Sequence, residues 1–347
     1  MKAVLLVGGE GTRLRPLTYD VPKPLVPVAN LPYLEQLMKY LRRFGVDEII
    51  LTACYLSEQI KAFCKTNIES AVKLTYVIEE SPLGTGGAVG NVADFLHETF
   101  LVFNGDIVTD FDLHTLIAFH REKKAKATLA LATVSDPTRY GVVDLLPDGD
   151  IHRFVEKPKK EEAPSCWINA GIYVMEPAVL SLIPRSTKVS IEREVFPQMA
   201  ETHHLSGKVF ESYWLDMGTP ADYLAAHHDY LDGKISLEIK ESRKGKNWIG
   251  ERVTVASGAK LISPVLIGSE CEIGQNAVVG PYTVLGEGCN VEEGAKIERS
   301  VLWNKVRVGR EANVDHTIIG HEGHVETKAV LEHEIIRGAP RKLGAPP

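Results

Sequence analysis

Cysteine is scarce in this chain of 347 residues. The five that occur, Cys54, Cys64, Cys166, Cys271 and Cys289, are odd in number, scattered and without a C-x-x-C pair. That argues against a disulfide framework and against a zinc site. Long apolar runs are missing too: none approaches the ~18 residues that a membrane span needs. Positive charge is thin, with 39 Lys and Arg against 46 Asp and Glu and a net charge of −7. Its only dense stretch is 240–246, so a general nucleic-acid binder, which needs concentrated positive charge, is not expected. The first residues run straight into Gly8-Gly9 and leave no room for a signal peptide with its cleavage site. The expectation is a cytoplasmic protein with reduced thiols and no membrane partner. What is present, 44% hydrophobic and 24% charged residues, is a globular composition with length for about two domains.

The two halves follow different periods. Up to about residue 230, apolar strand-like runs alternate with helix-like segments. Residues 2–7, 48–52, 73–78 and 99–104 read as strands; 33–44, 57–65 and 112–121 read as helices. Such β-α units predict a mostly parallel sheet covered by helices, with ligands beyond the carboxyl ends of its strands. Farther on, apolar residues recur every sixth position at Ile249, Val255, Leu261, Ile267, Ile273, Val279, Leu285, Val291 and Ile297. After a one-residue slip the pattern resumes at Leu302, Val308 and Val314, and after another at Ile319 and Val325. Glycine often follows the apolar residue, and a small residue often stands four positions after it. A period of six fits neither helix nor simple strand; it is the signature of a hexapeptide β-helix. Cys271 and Cys289 lie three hexads apart, which suits small residues stacked in the core of successive coils.

Two strand ends are punctuated by chemistry-bearing residues. Gly8-Gly9-Glu10-Gly11-Thr12-Arg13-Leu14-Arg15 follows the first strand. No Gly-Lys-Ser/Thr closes it as in a Walker loop, and Leu14 stands where a dinucleotide fingerprint has its third glycine. Glycines still let backbone N–H groups approach phosphate oxygens, and the arginines add charge. Then comes Pro22-Lys23-Pro24, where Pro24 should keep Lys23 extended and its ammonium at a fixed point. Asp106, Lys157, Glu156 and Asn169 each have a plainer reading: a helix cap or turn residue, a surface ion pair, and a strand bulge beside Gly171. His316, His321, His324 and His333 gather near the end without a cysteine or carboxylate at ligand spacing, which favours solvated turns over a metal site.

Gly-Gly-x-Gly-Thr-Arg-Leu-Arg-Pro-Leu-Thr followed by Pro-Lys-Pro resembles the signature of the sugar-nucleotide pyrophosphorylases, or sugar-1-phosphate nucleotidylyltransferases. The likeness continues through Pro82-Leu83-Gly84-Thr85-Gly86-Gly87-Ala88, Asn104-Gly105-Asp106, Tyr140-Gly141-Val142-Val143, Val155-Glu156-Lys157-Pro158, Asn169-Ala170-Gly171-Ile172-Tyr173 and Trp214-Leu215-Asp216-Met217-Gly218. The resemblance implies a Rossmann-like α/β domain with a mixed, mostly parallel sheet, then a left-handed parallel β-helix. The expected boundaries are 1–232 for the catalytic domain, 233–247 for a linker, 248–337 for the β-helix and 338–347 for a tail. It also implies roles. Gly8, Gly9, Gly11, Thr12 and Arg13 would hold a nucleoside triphosphate, Lys23 would sit on its phosphates, and Gly84 and Thr85 would lie in the turn under the base. Asp106 and Asp216 would hold Mg²⁺; Lys157 would bind the sugar phosphate, with Gly141, Glu156 and Asn169 at sugar hydroxyls.

That chemistry needs no general base, because a sugar phosphate is largely ionised at neutral pH, its second pKa lying near ~6. It needs cations against anion repulsion and an in-line approach. Within the family, the 79–85 turn, the 137–143 stretch and Ser190-Ile191-Glu192-Arg193-Glu194-Val195-Phe196-Pro197 look most like the mannose-1-phosphate guanylyltransferases, implying GTP and α-D-mannose 1-phosphate. The form Gly86-Gly87-Ala88 is shared with uridylyl- and other guanylyltransferases, so glucose 1-phosphate with UTP or dTTP stays open. A non-catalytic regulatory subunit is the other class; such proteins tend to lose the signature arginine, lysine or metal aspartate, which this chain keeps. Exposed solenoid edges lead us to expect a homo-oligomer, dimer or tetramer, built through the β-helix.

Overall fold

The alternating first part of the chain builds a nine-stranded mixed sheet. The computed structural model describes residues 1–67, 72–237 and 239–339; of the expected tail, residues from 340 on lie outside these, and of the expected linker, residue 238. Two compact units form, one from Met1–Gly9 with Leu37–Trp214, the other from Glu10–Gln36 with the residues from Leu215 onward. The glycine-rich segment after the first strand is thus divided, Gly8 and Gly9 grouping with the sheet and the residues from Glu10 with the C-terminal part.

In the first unit the strands are β1 (Lys2–Leu6), β2 (Glu48–Ala53), β3 (Lys73–Ile78), β4 (Phe100–Asn104), β5 (Ala127–Thr133), β6 (Gly141–Leu145), β7 (Ile151–Glu156), β8 (Trp167–Met175) and β9 (Leu205–Val209). Their order is β7-β6-β8-β4-β1-β2-β3, with β5 pairing both β8 and β9. β1 lies between β2 and β4, parallel to both, and β2 is parallel to β3. β8 runs antiparallel to β4 and β5 and joins the two parts of the sheet. β1, β2 and β4 are buried almost throughout, as sheet strands covered on both faces are. Val4, Ile50, Val102, Tyr173 and Phe196 share one core. Helix Leu113–Lys123 starts where Asp112 accepts from His114 N–H and ends on Lys124 in the left-handed region, an N-cap and C-cap pair.

In the second unit the six-residue period becomes a parallel β-helix of three sheets. Ile249 pairs with Ile267 and Ile267 with Leu285, so one coil takes 18 residues. From Leu285 to Leu302, Ile319 and Ile336 each coil takes 17. The slips in the sequence pattern are shortened corners; the strands keep their phase. Cys271, Ala277, Cys289, Ala295 and Ala312 fill the small core positions, and Cys271 and Cys289 are free thiols. Ser242–Lys244 folds back antiparallel on Asn247–Ile249 and covers one edge of the first coil. His316 and His333 stack ring on ring at 4.8 Å on successive left-handed corners, below Arg299. Among the described residues no helix is long and apolar enough to cross a membrane.

Helix Pro220–Leu231 carries the buried His227 in the same unit. Its Nδ1 can only donate to the Tyr223 carbonyl at 2.9 Å, and its Nε2 can only accept from Ala29 N–H at 3.3 Å. The partners therefore fix the neutral tautomer, and burial pushes the pKa down from 6.5 to about 4. Between those two values the unfolded chain binds a proton that the folded chain refuses, so stability falls as pH falls. At pH 5 the loss from this group is about 2 kcal/mol. Urea unfolding at pH 7 and pH 5 checks it: His227→Gln should show a smaller drop than the parent by that amount.

Candidate functional site

Parallel strands that end together bring several expected residues to one edge of the first unit. Val7 N–H donates to the Thr52 carbonyl at 3.1 Å, and Gly105 N–H to the Leu6 carbonyl at 3.0 Å. A Cβ on Gly105 would stand 2.7 Å from Val7 Cγ1, so glycine is required there, and it sets Asp106 just past the carboxyl end of β4. Gly8 passes close to Cys54, whereas a Cβ on Gly9 would meet nothing within 4 Å. Gly9 is thus not explained by packing.

The glycines of helix Gly84–Asn91 are. Gly86 and Gly87 N–H both donate to the Val189 carbonyl, at 3.0 and 3.2 Å. A Cβ on Gly84 would lie 2.6 Å from that oxygen, and one on Gly87 only 2.4 Å from the Thr187 carbonyl. The Gly-Gly pair serves the close approach of the 187–191 backbone. Thr85 Oγ1 donates to Glu192 Oε2 at 2.6 Å and accepts from Ile191 N–H at 3.1 Å. Its hydroxyl is therefore spent inside the protein.

Glu156, at the end of β7, is half-buried; desolvation, then the charge of Glu192, raise its pKa, and Lys157 and Arg193 pull the other way. Lys157 has φ 51, rare for a lysine; its N–H donates to the Tyr140 carbonyl at 2.9 Å and its Nζ lies 3.8 Å from Glu156 Oε1. Asn169 closes a bulge, accepting from Gly171 N–H and donating to Tyr173 Oη, both at 2.9 Å. The expected bulge is real, and it consumes part of Asn169. Gly141 is forced by Phe154, 2.4 Å from where its Cβ would be, and lies beside Glu156. Burial raises the pKa of Tyr173, as do the charges of Glu192, Glu156 and Asp106. Asp106, Gly141, Glu156, Lys157, Asn169 and Thr85 therefore converge, and Glu192 and Tyr173 join them unforeseen. Glu192 stood inside a motif without a role, and only its place opposite Glu156 marks it.

Glu79 was also missed. It follows β3, is 7% exposed, accepts from Leu83 N–H at 3.0 Å through Oε2, and leaves Oε1 buried without a partner. Burial pushes its pKa up. A cavity of about 480 Å³ opens at the other ends of β1 to β3. Its charges satisfy one another, Lys2 and Lys73 on Glu48 and Met1 on Asp47, so it does not bear on this chemistry.

The second unit holds Gly11, Thr12, Arg13, Lys23 and Asp216. Gly11 adopts φ 62, and its Cβ would stand 3.1 Å from Lys23 Cβ, so the glycine turn and the lysine stalk touch. Thr18 Oγ1 donates to the Gly11 carbonyl at 2.8 Å. The Arg13 guanidinium lies against Gly218, 2.6 Å from the site of a Cβ there, which places it over the turn after Asp216. Arg15 pairs with Glu10 at 2.7 Å and covers the Tyr19 ring. Lys23 opens a 3₁₀ turn, Lys23–Leu25, in place of the extended backbone expected. Pro24 is tolerated because at the start of a helical turn its missing N–H has no partner to lose. Asp106 in the first unit and Asp216 in the second each carry hard carboxylate oxygens; among the described residues no group of three or more His, Cys, Asp or Glu is arranged to hold a metal ion by itself. A hard divalent ion such as Mg²⁺ takes carboxylates of this kind, one or two of them together with substrate phosphates.

Comparison with known proteins bears on both parts of the chain. The family described as "Nucleotidyl transferase" matches residues 2–233, and that described as "EIF2B subunit epsilon LbH domain", a left-handed β-helix, matches 244–345. The chain is 37% identical to "Probable mannose-1-phosphate guanylyltransferase 2" of Arabidopsis thaliana, over 97% of this chain and 91% of that protein. It is 39% identical to "Mannose-1-phosphate guanylyltransferase" of Mycobacterium tuberculosis, over 86% and 83%. The crystal structure of HddC from Yersinia pseudotuberculosis complexed with GMP-PN superposes with a TM-score of 0.57 at 31% identity, covering 66% of this chain and 99% of that one.

Two glycine substitutions separate packing from binding. Gly87→Ala should cost about 2 kcal/mol, since the Thr187 backbone cannot yield. Gly9→Ala should leave stability within about 0.5 kcal/mol while raising KM for the nucleotide. Thermal unfolding beside steady-state kinetics checks both.

Proposed function

The chain belongs to the nucleotidyl transferase family, and from that premise we propose that it makes GDP-mannose and pyrophosphate from GTP and α-D-mannose 1-phosphate. A phosphate oxygen of the sugar phosphate attacks the α-phosphorus in line; the bond from that phosphorus to the bridging oxygen breaks, and pyrophosphate leaves with the electron pair. No proton has to be removed from the nucleophile. Lys157 meets the sugar phosphate, held toward it by its left-handed backbone, and Glu156 and Asn169 face sugar hydroxyls. Arg13 and Lys23 offset the triphosphate charge. A divalent cation, Mg²⁺ in our reading, would be held by Asp106 and Asp216 and would neutralise charge developing on the phosphates.

The observation that carries the choice of base is Glu79. A carboxylate kept out of water has one oxygen without a donor and the other held only by Leu83 N–H; released from that turn, it takes two adjacent donors. The N1–H and N2–H edge of guanine offers them, and a small opening of the 80–83 turn would admit it. Uracil and thymine offer one N–H flanked by two carbonyl oxygens, which a carboxylate repels. The names of the relatives support the same pair. Exposed edges at Thr254–Val255 and Lys260–Leu261, which no earlier coil covers, support a homo-oligomer, dimer or tetramer. Free thiols suit a cytoplasmic setting.

Pyrophosphate release across nucleoside triphosphates and sugar 1-phosphates tests the reading, and GTP with mannose 1-phosphate should lead. Asp106→Ala should abolish turnover. Glu79→Gln, which trades an acceptor for a donor, should cut the preference for GTP over UTP by about tenfold or more. An unchanged preference with higher stability would make Glu79 a packing feature only.

A further inference from the structure

The segment Glu10–Gln36 holds only 3₁₀ turns and two-residue strands before helix Tyr33–Arg43 begins. Its hairpin pairs Pro27 with Pro32 and Val28 with Leu31, and so small a hairpin does not hold itself. Its turn residues, Ala29 and Asn30, have φ 48 and 64. That geometry suits Asn-Gly and strains an alanine. Something else in the unit must hold it.

The β-helix and helix Pro220–Leu231 do. Tyr223 Oη donates to the Pro27 carbonyl and accepts from Trp303 Nε1–H at 3.0 Å. Both side chains are buried, at 0% and 2% exposure. His227 accepts from Ala29 N–H. Asn30 Nδ2 donates to the Leu285 carbonyl at 2.9 Å and to Glu241 Oε1 at 3.1 Å. At the other end of the segment, Arg337 makes a two-pronged pair with Asp20, at 2.6 and 2.7 Å.

The repeat itself shows that these contacts are not incidental. The residue after the inward apolar one on the first face is Gly250, Gly268, Gly286, Trp303, Gly320 and Arg337 in successive coils. At the four glycines the next coil leaves no room for a side chain. A Cβ would lie 2.4 Å from Ser269 N at Gly250, 2.6 Å from Glu287 N at Gly268, 2.6 Å from Asn304 N at Gly286 and 2.7 Å from Gly338 N at Gly320. The two departures from glycine, Trp303 and Arg337, are the two that reach toward the segment, one through Tyr223 and one directly.

We infer that the β-helix sets the geometry of the lysine-bearing segment, with Trp303 and Tyr223 as positioning residues for Lys23. The inference rests on the reading of Lys23 as a phosphate-binding group. Lys23 stands between the two anchored points, Asp20 and Pro27, and Gly11 packs against its stalk. Tyr223 transmits: its hydroxyl is polarised by the indole N–H and holds the carbonyl two residues before Ala29, a donor chain stronger than its parts.

Full-length Tyr223→Phe, Trp303→Phe and the double variant test it, with Arg252→Ala, which breaks an exposed pair with Glu270, as the control. Tyr223→Phe should lower kcat for GTP and mannose 1-phosphate by about tenfold, with KM for the sugar phosphate within about twofold. The double variant should be no worse than Tyr223→Phe alone, because the two changes cut one chain. Losses that add, or a kcat within about twofold of the parent, would overturn the inference. Hydrogen exchange decides without turnover: Tyr223→Phe should speed exchange in residues 10–36 and leave helix Gly84–Asn91 unchanged. Unchanged exchange in 10–36 would overturn the inference even in an active enzyme. If the parent turned over no substrate pair, the proposed function would fail while the exchange result still decided this point.

Discussion

Parallel pairing of β1 with β2 and β4 sets a level that everything at the site inherits. Register holds residue by residue, Leu6 opposite Thr52 on one side and Asn104 on the other. Three chain ends therefore emerge together, at Gly8, Cys54 and Gly105. There is no room for side chains where they cross, which is why Gly105 sits against Val7 and Leu6. Asp106 is placed by that crowding. On the antiparallel side, β8 solves a related problem with a bulge, spending Asn169 and Gly171 to turn the strand beneath Tyr173.

Electrostatically the first unit is a place of excess negative charge under partial burial. Burial first, then the charges of Glu192, Glu156 and Asp106, raise the proton affinity of Tyr173, and burial followed by Glu192 does the same to Glu156. Like charges so placed repel one another, and cationic or hydroxyl-rich company offsets the cost. Within the same unit Lys157 and Arg193 supply such charge beside Glu156.

Much of this was legible in the residues. The four strands and three helices read from apolar periodicity in the first part fell where it put them, but the strands between Ala127 and Val209 were not read there and the expected turn from Gly84 is a helix; the β-helix was written in nine apolar positions that keep phase. Spacing alone could not tell which glycines are for packing and which for a ligand. Gly84, Gly86 and Gly87 prove to be bound to the 187–191 backbone, a partner a hundred residues away, whereas a side chain at Gly9 would find open space. Glu79 and Glu192 were illegible for the same reason: their meaning lies in burial and in a distant neighbour. Lys23 was misread locally, since the rule for a residue before proline is a preference that a 3₁₀ turn overrode. The breaks in the glycine column at Trp303 and Arg337 were visible from the start, but only contact with Tyr223 and Asp20 gave them sense.

The shortened coils carry a consequence for how this domain can change. All three losses of a residue fall at one corner, between Ile297 and Leu302, between Val314 and Ile319, and between Leu331 and Ile336, while paired strands on every face stay in step. Where the corner is longer it contains Pro264 or Pro281; where it is shorter it turns on Arg299, His316 or His333. In the language of insertions and deletions, this corner is a tolerant joint. A one-residue gap there is absorbed within a single turn of chain. The same gap inside a strand would put every later column out of frame, as a dropped stitch unravels the rows that hang from it.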